Sequence, residues 1–131
     1  MAANTPAWWA VTVDSINPPA LAQFWSAMFE TPANSLGGAR DGWYRIQPLG
    51  AQAPFINFQP VSERKVAKVR IHLDVFVNDL EDGVARAVAL GATDTESRET
   101  LPRGRIAIML DPEGNEFCVL AAPEETRQAE K

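Results

Sequence analysis

Hydrophobic and polar positions follow two rhythms along this chain, and the same order of rhythms occurs twice. Over residues 8–14 (WWAVTVD) the alternation has a period of two: Trp9, Val11 and Val13 fall on one face, and Ala10, Thr12 and Asp14 on the other. Asn17-Pro18-Pro19 then signals a helix start, a capping side chain followed by proline where a missing N–H costs nothing. Leu21, Phe24, Trp25 and Met28 continue at helical spacing as a core-facing stripe. Residues 31–41, with Pro32, Gly37 and Gly38, read as a loop. Residues 42–48 and 54–61 read as strands, and the charged stretch 62–68 as an exposed linker between two halves.

The second half repeats the scheme. Ile71, Leu73, Val75 and Val77 alternate with His72, Asp74 and Phe76. Asp79 caps a helix carrying Leu80, Val84 and Val88, and Gly91 ends it. Residues 92–98 read as an edge strand, 99–104 as a turn, 105–110 as a buried strand, and Asp111-Pro112-Glu113-Gly114 as a turn into a last strand over 115–120. An offset of 62 aligns Ala10 with His72, Asn17 with Asp79 and Phe55 with Phe117. This predicts an α+β fold of two βαβββ modules, module one about 8–61 and module two about 69–121, in a single domain spanning 1–131. Residues 1–7 read as a loose arm and 122–131 as a polar tail.

Charge narrows the partners. The net charge of −5 and the absence of a basic cluster beyond Arg64-Lys65 and Arg103/Arg105 argue against nucleic acid. Neither a membrane-length apolar run nor a signal core is present, so the expected location is cytoplasmic. One cysteine, Cys118, excludes an intrachain disulfide; in its apolar strand it reads as a small buried hydrophobe. No Gly-flanked serine elbow or phosphate loop occurs. Of four tryptophans, Trp9 and Trp25 belong to the core by phase; Trp8 and Trp43, with Tyr44 beside the latter, suit either a cavity mouth or a packed rim.

The segments HLDVFVNDLEDGVARAVALGA and LDPEGNEFCVL together resemble the second module of the vicinal oxygen chelate superfamily, and within it the glyoxalase-like subgroup with its bleomycin-resistance relatives. VTVDSINPPALAQFWSAMF resembles the first module, and the likeness covers residues 8–121. The resemblance implies strands curved into an incomplete barrel around a cavity, usually in a homodimer. In metal-dependent members a divalent ion is held by four cavity-facing positions. Carried over, these are Ala10, Ile56, His72 and Cys118, the cysteine standing where a glutamate is usual. Ala10 and Ile56 cannot bind metal, so the site is expected to be metal-free and without a cofactor. A softer set of His72, Cys118 and a carboxylate, Asp74 or Glu116, is the variant to weigh, with Gln59 adding an oxygen if the register near Ile56 slips by one.

Two classes of function stay open. One is a small-molecule-binding protein that sequesters or delivers a hydrophobic or aromatic ligand, lined by Thr12, Asp14, Tyr44, Phe58, His72, Asp74, Phe76 and Cys118. The other is a lyase, isomerase or dioxygenase with His72 as ligand or general base, assisted by Asp74 or Glu116. The plainest role for His72 is a half-buried ring hydrogen-bonded to a carbonyl or to Asp74.

Overall fold

The computed structural model describes Pro6, residues 9–102 and residues 104–122. The expectations for Trp8, the N-terminal arm, Arg103 and the tail beyond residue 122 lie outside the described residues. The chain divides into two compact units, 1–64 and 65–131. Each is one βαβββ module, as the repeated pattern predicts, and the described chain is α+β with eight strands and two helices.

In the first unit, β1 (Ala10–Ser15) leads to α1 (Pro18–Phe29), then β2 (Ala33–Gly37), β3 (Arg40–Ile46) and β4 (Phe55–Pro60). The sheet order is β1-β4-β3-β2, with β1 parallel to β4 and the other pairs antiparallel. The Asn17 cap holds as read: its Oδ1 accepts from the Ala20 amide at 3.4 Å, with Pro18 opening the helix. Leu21, Phe24, Trp25 and Met28 bury one side of α1, and Ile46, Ile56 and Phe58 are buried on the sheet. That apolar face carries the unit's stability.

Two readings need correction here. Residues 31–41 are not a loop, because β2 and β3 form a hairpin turned by Gly37 and Gly38, both at positive φ. The edge strand ANSLG lacks apolar alternation, which hid it. Trp9 is not core: it is 53% exposed, and its indole N–H donates to the Gln52 carbonyl at 3.3 Å.

In the second unit, β5 (Asp74–Val77), α2 (Leu80–Leu90), β6 (Thr93–Leu101), β7 (Gly104–Leu110) and β8 (Glu116–Ala121) form a sheet of order β5-β8-β7-β6. Asp79 caps α2 through the Asp82 amide at 2.9 Å, and Gly91 ends it. Leu80, Val84 and Ala87 are the buried positions of α2, whereas Val88 is on the surface. Gly83 is mid-helix for a packing reason: a Cβ there would sit 2.7 Å from a Val77 methyl, so the missing side chain lets α2 approach β5. β6 is longer than expected and runs through a bulge, with Glu96 at φ 68. The DPEGN segment is a closed turn: buried Asp111 accepts from the amides of Glu113 and Asn115, and the Gly114 amide donates to its carbonyl.

Arg98 ties β6 to α2. It donates to Asp94 at 2.8 and 2.9 Å and to Glu81 at 3.0 and 3.1 Å. The Arg98 hydrogen bond holds the Asp94 carboxyl down from 3.8 to about 2. A depressed carboxylate stabilises the fold above its unfolded value, and that contribution fades as pH falls through the folded value. The wild-type melting temperature is therefore expected to fall between about pH 4 and pH 2 more steeply than that of Asp94→Asn, read by circular dichroism at matched ionic strength. No helix among the described residues is long and apolar enough to cross a membrane.

Candidate functional site

Strand pairing decides which side chains share a surface. In the second unit Asp74 pairs with Cys118, which pairs with Ile108; Phe76 pairs with Leu120, which pairs with Ile106. Alternation puts these on the face away from α2, while Val75, Phe117 and Val119 are buried in the core with the inner side of the helix. His72 precedes β5 rather than lying within it. Its Nε2 stands 3.1 Å from Asp74 Oδ1, both side chains nearly half exposed. The Cys118 amide donates to the Leu73 carbonyl at 3.0 Å, fixing β8 alongside the His72 segment. One ligand atom each from His72, Asp74 and Cys118 lie within 4.8 Å of one another. Cys118 is half-buried rather than a fully buried hydrophobe.

Glu116 lies on the same face two residues on and has different work. Lys65 Nζ donates to its Oε1 at 2.7 Å and the Val69 amide to its Oε2 at 2.7 Å. The Lys65 hydrogen bond first, then that of Val69, holds this carboxyl below the usual range. A doubly held carboxylate is a poor proton donor and fastens the 65–69 segment to β8. Phe76 is 73% exposed, an aromatic surface beside Asp74 on the same strand face.

In the first unit the same pairing corrects the expected register. Thr12 stands opposite Asn57, whereas its counterpart Asp74 stands opposite Cys118. Between the modules the opening strands are therefore offset by 62 and the closing strands by 61. Asn57, not Ile56, occupies the position equivalent to Cys118, and Ile56 is buried on the α1 side at 7% exposure. Phe58 and Tyr44 pair with each other and share that side; Phe58 is fully buried, so its expected place in a ligand-lining surface is corrected. Thr12 and Asp14 do share the opposite face, with Phe55, Asn57 and Gln59. So does Arg45, which pattern reasoning passed over. Its Nε donates to Asn57 Oδ1 at 2.7 Å, and its guanidinium carbon lies 4.5 Å from the Phe55 ring centroid. An arginine set between Tyr44 and Ile46 was the available signal.

The residues can now be set against the metal that the resemblance implies. The first module contributes nothing: Ala10 has no donor atom, and the Asn57 oxygen already accepts from Arg45. The second contributes imidazole, carboxylate and thiol within one cluster, the number of protein ligands found in open zinc sites. A four-donor centre drawn from both modules does not fit this chain; a three-donor set within the second does.

The sequence profile of the glyoxalase-like domain matches residues 10–120. No curated protein sequence matches the chain. Many solved structures share its fold. A glyoxalase/bleomycin resistance protein/dioxygenase family enzyme from Burkholderia phytofirmans PsJN is 18% identical with a TM-score of 0.69, covering 87% of this chain and 97% of its own. TnmS3, an antibiotic binding protein from Streptomyces sp. CB03234, is 18% identical with a TM-score of 0.64, covering 93% and 100%. The oxidase ChaP-H1 is also 18% identical, with a TM-score of 0.61 and coverage of 91% and 98%.

Proposed function

This chain belongs to the glyoxalase-like domain family, and on that premise we propose that it is a small-molecule-binding protein. It holds a hydrophobic or aromatic ligand for sequestration or delivery, as a homodimer, without the four-donor metal centre of metal-dependent members. One observation carries the reading: the first module has no metal donor at either expected position, Ala10 being inert and Asn57 engaged by Arg45. Its sheet face away from α1 carries Thr12, Asp14, Phe55 and Arg45, a mixture of aromatic and polar groups suited to an organic ligand. The fold shared with an antibiotic binding protein supports the same reading. His72, backed by Asp74 on Nε2, orients the ligand by hydrogen bonding, with Phe76 and Cys118 beside it.

Native mass spectrometry of untagged protein, purified without chelators, tests this directly. The expected spectrum is a metal-free dimer, with any retained organic molecule naming the ligand class. His72→Ala should then weaken that ligand only several-fold, in line with the loss of one hydrogen bond. One tightly held divalent ion per chain would overturn the metal-free reading.

A second reading, a lyase, isomerase or dioxygenase, is favoured by the grouping of His72, Asp74 and Cys118. An ion held by these three would supply Lewis-acid polarisation of a substrate oxygen. Cobalt(II) titration separates the two: a thiolate charge-transfer band, lost in Cys118→Ser, supports the second, and its absence in wild type supports the first.

A further inference from the structure

We propose that Arg45 is the group that recognises an anionic head, a carboxylate or an equivalent planar oxyanion, on the ligand. The inference rests on the ligand-binding reading above and names the chemistry of one end of that ligand.

The support is the way Arg45 is held. Pairing sets Arg45, Asn57 and Thr12 in one row across β3, β4 and β1. Arg45 Nε donates to Asn57 Oδ1 at 2.7 Å, while Asn57, 4% exposed, makes a long 3.5 Å contact through Nδ2 to Thr12 Oγ1. The Phe55 ring lies against the guanidinium, 4.5 Å from its carbon. These contacts fix the plane of the group and use its inner nitrogen. The terminal N–H fork has no hydrogen-bond acceptor among the described residues, although the side chain is half-buried. A half-buried guanidinium gives up hydration, so an unpaired fork at such a position is completed by water or by a ligand.

Geometry decides which ligand. Two parallel N–H bonds from a fixed fork match the two oxygens of a carboxylate, and an ammonium could not reproduce this. Phe55 beside the fork provides an apolar surface for an aromatic body attached to that anion. Asp14 is on the same face but across β4, paired with Gln59, where it can accept from a ligand hydroxyl or amine. The ligand class is thus an aromatic or hydrophobic acid rather than a neutral or cationic molecule.

The experiment compares 1-naphthoate with its neutral isostere 1-naphthamide on nitrogen-15-labelled full-length protein, following the Arg45 Nε–H resonance, assigned by its loss in Arg45→Lys. In wild type, naphthoate should shift this resonance and bind on the order of tenfold more tightly than the amide. Arg45→Gln should bring the ratio close to one, and Arg45→Lys, which keeps the charge but loses the planar fork, should lower it part of the way. If the acid and the amide bind wild type equally, anion recognition fails and the ligand-binding reading survives. If the preference persists in Arg45→Gln, the anion sits elsewhere and the assignment to Arg45 is overturned. If neither compound binds, both readings fall. Should either variant unfold on heating below the wild type, the wild-type affinity ratio and Nε–H shift decide alone.

Discussion

Phe58→Ala is expected to destabilise the protein by about 3–5 kcal/mol, the range for removing a fully buried phenylalanine. The ring is 0% exposed and shares the helix-facing side of its sheet with Ile46 and Ile56. A cavity of that size cannot close, because its walls come from α1 and from hydrogen-bonded strands on either side of β4. Phe58→Leu, which keeps most of the volume, should cost less than half as much. Urea unfolding followed by tryptophan fluorescence reads both. A wild-type midpoint for Phe58→Ala would return this residue to the ligand-facing side expected from the sequence.

Gly104→Ala should be of similar size, about 3 kcal/mol or more, by a different mechanism. Gly104 opens β7 at φ +137, and a Cβ there would run into the Ala121 carbonyl, with the Ala122 Cα 3.0 Å away. Both neighbours are backbone at the end of β8, so relief requires parting the last rungs of the β7–β8 ladder. Gly38→Ala gives the comparison. It also has positive φ, at +56, but nothing stands within 4 Å of its added methyl. Its cost should be limited to the left-handed conformation itself, about 1–2 kcal/mol. Thermal melts of the two variants, side by side, separate collision from conformation; equal melting temperatures would show that the approach to Ala121 is looser than described.

These two positions also mark where pattern reasoning reaches and where it stops. Asn17 and Asp79 were legible as caps, because a side chain accepting from an amide three residues on is a local event. The stripe Leu21, Phe24, Trp25, Met28 was legible for the same reason, and so was the closed Asp111–Asn115 turn. Phe58 was misread because INF is apolar at both ends and offers no alternation from which to choose a face. Trp9 lies outside the core because it precedes β1 and its indole N–H turns to the Gln52 carbonyl.

The sequence by itself determined two capped helices, the βαβββ order of the second module and the family, since these depend on neighbours within one turn or one strand; β2 of the first module, without apolar alternation, did not show. It also placed His72 and Asp74 on a common surface, two residues apart. Only the tertiary structure decided the register. One residue of difference between the modules, in the stretch joining helix to closing strand, moves Asn57 into the place assigned to Ile56 and turns Phe58 inward. Cys118 joins His72 and Asp74 through pairing of β5 with β8, strands far apart in sequence, and Arg45 meets Asn57 and Phe55 through the register of the neighbouring β3–β4 pair. Strand side chains repeat every two residues, so a slip of one exchanges the faces completely, and nothing local to either strand records which slip has occurred.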